Sequence, residues 1–144
     1  MSNAYLINKN EKVVFEVWVG KITKEEFFAH DRKLLNDPEL PPGSSVLVDI
    51  TGASFDEIGE AGFEELVRLY REHRDRTAGV KVAIVASKNF QRAKMYESET
   101  APALLNVIVF NEMNHACTWL GVNKKEAQEW IDSKRAELIS SSAV

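Results

Sequence analysis

The hydrophobic pattern of this chain changes period several times, and each change marks an element. Tyr5 to Asn8 and Lys12 to Gly20 flank the polar Lys9-Asn10-Glu11, a connection short enough for a β-hairpin. In the second arm Val13, Phe15, Val17 and Val19 point one way, and Val14, Glu16 and Trp18 the other. The first set belongs to a core face. The second is mixed, so Trp18 is either half-covered by a helix or part of a surface patch. Thr23 with Glu26 three residues later makes a capping box, which satisfies amides that a helix start otherwise leaves orphaned. The helix that follows carries Phe27, His30 and Leu34 on one face, with Phe28 and Leu35 beside it, until Asn36-Asp37-Pro38 stops it. Pro38 to Gly43 is a stiff loop.

Ser45 to Ile50 is a nearly continuous apolar run with Asp49 as its one charge, the pattern of a strand covered on both faces. The chain turns after Thr51-Gly52, and from Glu60 onward Phe63, Leu66, Val67 and Tyr70 recur at helical spacing to an end near Thr77-Ala78-Gly79. The charges Arg68, Arg71, Glu72, Arg74, Asp75 and Arg76 read as the solvated face of that helix. Val80 to Ala86 is a second buried strand, Ser87 caps a helix running to about Ser98, and Leu104 to Phe110 is the last strand. Asn111 to Leu120 reads as a short helix closed by Gly121 in the left-handed position. A final helix, about 123–139, has an apolar stripe of Ala127, Trp130, Ile131 and Leu138. It packs over the sheet edge or reaches a second subunit, and Ser140 to Val144 frays.

Strands alternating with helices after an opening hairpin predict an α/β fold: a mostly parallel sheet, an antiparallel N-terminal edge strand and an extra C-terminal helix. At 144 residues and 44% hydrophobic, the chain suits a single domain over 1–144, with Met1 to Ala4 left out of the fold argument. The net charge of −4 gives no general attraction to nucleic acid. No apolar run approaches the ~20 residues of a membrane helix, and no signal-peptide layout is present, so no membrane insertion is expected. Cys117, the single cysteine, forms no internal disulfide, and a cytoplasmic protein is expected.

Parallel sheets place their functional crevice at the carboxyl ends of the strands. That selects Asp49, Thr51, Gly52, Ser54 and Asp56, and beside them Ser87, Lys88, Asn89 and Arg92. Asp49 with Asp56 or Glu57 is either a carboxylate pair or, more simply, a set of acceptors for turn amides. Ser87 at a helix start, followed by Lys88 and Arg92, is a candidate site for an anion. Gly52, Gly59 and Gly62 match neither phosphate-loop nor dinucleotide-binding spacing, so no cofactor is expected. His115 and Cys117 are two apart on a helix and do not face each other, and Cys117 reads as a packing residue. His30, between Phe27 and Leu34, reads as a hydrogen-bonded core or rim histidine. No acid, base and nucleophile stand at workable spacings, so a non-enzymatic role is expected.

The stretch Asp49-Ile-Thr-Gly-Ala-Ser-Phe-Asp56, preceded by a buried strand and followed by a glycine and a helix, resembles the central motif of the SpoIIAA-like (STAS-related) domains. The hairpin ending in Gly20, the helix start Thr23 to Phe28, Lys81 to Ala86, and Val109-Phe110 leading to Ala116-x-x-Trp119-Leu120 extend the likeness over residues 5 to 121, toward an uncharacterised bacterial branch. The resemblance implies a right-handed β-α superhelix and a regulatory, protein-binding module. In the anti-sigma-factor antagonists of that family a phosphorylated serine precedes the motif's glycine. Here Ile58 precedes Gly59 and Glu57 takes the neighbouring serine's place, which leaves Thr51 and Ser54 as the nearby hydroxyls. The implied partner surface is the turn holding Gly52, Ser54, Phe55, Asp56, Glu57 and Ile58, with Phe55 and Ile58 as apolar contacts. The lipid-transfer CRAL-TRIO domains share the general fold and imply an alternative, a small lipophilic or anionic ligand. Its mark is an apolar cavity beneath the helix Ser87–Ser98, lined from the sheet and opened by Lys88 or Arg92. A homodimer through Trp130 and Trp18 is a further expectation.

Overall fold

The computed structural model describes residues 2–101 and 105–142. The expected strand start at Leu104 and the end of the frayed tail, Ala143 and Val144, lie outside them. The elements follow in the order β1 (Asn3–Asn8), β2 (Val13–Lys21), α1 (Lys24–Leu35), β3 (Ser45–Ser54), α2 (Glu60–Glu72), α3 (Arg74–Thr77), β4 (Lys81–Val85), α4 (Phe90–Thr100), β5 (Asn106–Phe110), α5 (Met113–Leu120) and α6 (Lys124–Ser142). One five-stranded sheet runs β1-β2-β3-β4-β5, with β1 antiparallel to β2 and every other pair parallel. The hairpin therefore supplies the antiparallel edge, and Asn3 and Ala4 join it, pairing with Trp18 and Val17.

Both faces of this sheet are covered, which is why β2 is buried from Val13 to Val19 without interruption. Val13, Phe15, Val17 and Val19 pack with Leu47, Ala83 and Val85 under α5 and α6. Trp18, Val48, Ile50, Val82 and Ile84 face the opposite way, against α1, α2 and α4. Trp18 is thus fully covered and unavailable for a dimer surface. The three crossover helices lie on one face and the strands add in chain order, so the chain coils continuously. The charged face after α2 also departs from expectation. A break at His73 starts α3, and Arg76 turns inward to donate from Nη1 to the carbonyls of Leu35 and Asp37.

The C-terminal helix α6 chooses the sheet. Ala127 and Ile131 are fully buried on β2's outer face, Leu138 nearly so, and Trp130 lies against Phe15. Among the described residues no helix is long and apolar enough to cross a membrane. The helix is also tied by charge. Arg135 Nη2 lies 2.7 Å from Asp49 Oδ2, while Asp49 Oδ1 accepts from the amide and the hydroxyl of Thr51 at 2.9 and 2.7 Å. Asp49 therefore serves as a turn acceptor and an ion-pair partner at the end of the parallel strand. Removing the guanidinium leaves a buried carboxylate without its counter-ion, so Arg135→Met should cost about 2–3 kcal/mol in urea denaturation. Asp49→Asn added to it should cost less than the sum of the two single changes. Strict additivity would show that the pair carries no coupling.

Candidate functional site

The predicted partner turn is closed inward. After Asp49 the pairing with β2 slips by one residue, from Val17 opposite Asp49 to Val19 opposite Gly52, and β3 continues to Ser54. Gly52 and Ser54 thus belong to a strand rather than to a loop. Phe55 and Ile58 are in the core, which corrects their assignment as exposed contacts. The physical reason is local. The amide of Ile58 donates to the carbonyl of Phe55 at 2.9 Å, folding both side chains under the turn. A Cβ on Gly62 would approach Ile58 Cγ2 to 3.2 Å, so the glycine leaves room for the isoleucine to lie back against α2. Phe55 packs edge-on against Trp18 and Phe27, with ring centroids at 5.4 and 5.9 Å. Asp56 and Glu57 remain exposed.

The predicted anion cluster is dispersed. The helix starts at Phe90, so Ser87 is not its cap; its hydroxyl donates to Thr51 O at 3.4 Å and Lys88 faces solvent. Asn89 occupies the cap position and spends its amide on the carbonyls of Ile50 and Ala53, at 2.8 and 2.9 Å. Arg92 turns beneath the helix and donates from Nη1 to Ile58 O at 2.8 Å. A different feature brings chemistry together. Between the sheet and helices α1, α2 and α4 lies a cavity of about 130 Å³, walled by apolar side chains such as Trp18, Phe27, Val48, Ile84 and Ala93. Arg92 lines it and Lys88 does not.

Into this apolar wall the chain sets a buried polar cluster. Glu16, in the middle of β2, is 6% exposed, and His30 and Asp31 on α1 are 4% and 8% exposed. The imidazole sits between two carboxylates, Nδ1 at 2.9 Å from Asp31 Oδ1 and Nε2 at 3.4 Å from Glu16 Oε1. Trp18 Nε1 donates to the same Glu16 oxygen at 3.3 Å, and its ring lies 4.5 Å from the imidazole. Asp31 Oδ2 accepts from Tyr70 at 3.1 Å, and the Tyr70 and Tyr96 hydroxyls are 2.6 Å apart. Glu16, Asp31, Tyr70 and Tyr96 all line the cavity. The sequence marks His30 as a hydrogen-bonded core or rim histidine, and it lies in the core, bonded through Nδ1 to Asp31. Sequence reasoning misses Glu16, whose one signal is a carboxylate between Val14 and Trp18 on an otherwise apolar strand face.

Burial pushes the Glu16 carboxyl above its ordinary 4.5, and the charge of His30 opposes that rise. Burial alone disfavours imidazolium, but Glu16 and Asp31 outweigh it and hold the His30 pKa above 6.5. Burial, then Asp31, pushes the Tyr70 hydroxyl up, and Tyr96 follows for the same reasons. On the other face of the sheet burial raises the Cys117 thiol, so it is a packing residue and a poor nucleophile.

No protein-family model and no curated protein matches this sequence significantly. Among solved structures the chain is similar to an uncharacterised protein of the DUF3478 family with a SpoIIAA-like fold from Shewanella loihica PV-4. The two share 18% identity with a TM-score of 0.55, over 83% of this chain and 94% of the other. The fold is therefore SpoIIAA-like, as the motif order implied.

The linkage signs agree for both groups. Folded Glu16 holds its proton above 4.5, so stability falls as pH climbs from there through its folded value. The stabilisation from His30 is complete below 6.5 and is lost as pH rises through its higher folded value. His30→Gln should therefore cost more at pH 6 than at pH 9 in urea midpoints. A cost that does not change with pH would remove the imidazolium from the account.

Proposed function

We propose that this protein is a small-molecule binding module whose ligand is compact, lipophilic and held in the cavity between the sheet and helices α1, α2 and α4. The observation that carries the reading is the cavity itself: about 130 Å³, half open, between the sheet and three helices. That approaches the ~150 Å³ of apolar cavities that admit benzene-sized guests. The exposed lining of the cavity is mostly apolar, and a lipophilic guest removes that surface from water.

The regulatory, protein-binding reading has less support. Its apolar anchors Phe55 and Ile58 are spent in the core, and the exposed side chains of that turn are the acidic Asp56 and Glu57, the latter 3.6 Å from Lys21 Nζ. Binding without turnover is the role we assign. Asp49 is occupied by Arg135 and Thr51, Cys117 lies on the far face, and both nitrogens of His30 face carboxylates. Arg76 and Arg92 line the cavity, each held at backbone carbonyls.

Toluene at about ten times its dissociation constant should raise the thermal midpoint by roughly 3–6 °C, from the stabilisation of about 1.4 kcal/mol that mass action gives. Ala93→Leu, which fills the cavity from α4, should abolish the shift while the protein stays folded. No response of the wild-type protein to toluene or to cyclohexane would remove the reading.

A further inference from the structure

Glu16 meets its protein partners through one oxygen. Trp18 Nε1 and His30 Nε2 both approach Oε1, and none of the described residues bonds Oε2. The side chain is 8% exposed and the residue lines the cavity, so the free oxygen belongs to the cavity wall. That oxygen is not among the fully buried side-chain atoms without a partner, so it stays reachable from the cavity, and a donor arriving with the ligand finds an acceptor that no protein group has taken.

The sign of the local charge decides which donor. Asp31 and Glu16 share one imidazole between them, so two acidic groups stand against a single basic one. The charges acting on Glu16 are those of His30 and Asp31. Arg76 and Arg92 also line the cavity and keep their charge, but each holds backbone carbonyls through Nη1, Arg76 those of Leu35 and Asp37 and Arg92 that of Ile58, and among the described residues neither forms an ion pair with Glu16 or Asp31. Trp18 and Phe27 line the same cavity, and aromatic faces favour a cation over an anion.

We propose that the cavity takes a small apolar amine, its ammonium head hydrogen-bonded to Glu16 Oε2 and its hydrocarbon body packed between the sheet and α4. The inference rests on the cavity reading above and adds the class of head group. An anion is disfavoured at the same place, because it would face the unpaired carboxylate oxygen.

The experiment compares benzylamine, toluene and benzoate on the wild-type protein by calorimetric titration, with the Trp18 indole N–H followed by nitrogen-15 NMR. Toluene is the most apolar of the three, so simple partitioning ranks it first. The proposal expects benzylamine to bind at least tenfold more tightly than toluene, benzoate not to bind, and the indole signal to move with the amine far more than with toluene. Glu16→Gln should erase the preference for the amine and keep toluene binding. Equal affinity for amine and toluene, or a preference that survives in Glu16→Gln, overturns the head-group assignment and leaves the cavity reading standing. Binding of neither overturns both. Should Glu16→Gln fail to fold, the wild-type ranking and the indole signal still decide.

Discussion

From Val13 to Val19 of β2 and from Leu47 to Ile50 of β3 the sheet is covered on both faces, which leaves no position there for a polar group to reach water, and this constraint organises the molecule. It requires α5 and α6 on one side and α1, α2 and α4 on the other, and it makes every polar residue in the central strands answer for itself. Asp49 answers with Arg135 and the hydroxyl and amide of Thr51. Glu16 answers with His30 and Trp18, and does so incompletely. The two carboxylates lie on β3 and β2, and their treatment differs in kind. One is saturated and structural; the other keeps an oxygen in reserve beside an unfilled volume.

The helices reinforce this division. α6 reaches the sheet through small or branched residues, Ala127 and Ile131, which let it lie close over β2. The cavity lies against α4 at Ala93, and beside the packing of Phe90 and Tyr96 that helix is held by polar ties at its start. Asn89 bridges two carbonyls of β3, and Arg92 holds the carbonyl of Ile58. Such ties position a helix without filling the space beneath it, as a wall built on apolar contacts would do.

Much of the fold was legible because period and caps are local signals. The alternation in β2, the cap at Thr23 and the left-handed Gly121 each depend on a few neighbouring residues, and each is present as read. The site was less legible because it is made of tertiary choices. Phe55 and Ile58 sit in a loop by pattern, and only the closed turn and the bare Cα of Gly62 draw them into the core. Ser87 has a cap's sequence, yet the helix begins at Phe90 because Asn89 is engaged with β3. Arg76 looked solvent-facing until the break at His73 rotated it inward. Glu16 was visible as an oddity on a strand face, but its partner lies on a helix distant in sequence, and no spacing rule links the two.

The placement of the tryptophans has an optical consequence. Of the three, Trp18 touches the buried imidazole and the cavity, while Trp119 and Trp130 pack on the opposite side of the sheet. An imidazolium beside an indole quenches its emission, so Trp18 is dark or bright according to the charge state and contents of the space next to it. The other two sit beyond the sheet and supply a constant background. The molecule thus carries its own fluorescent reporter on one face and its own reference on the other.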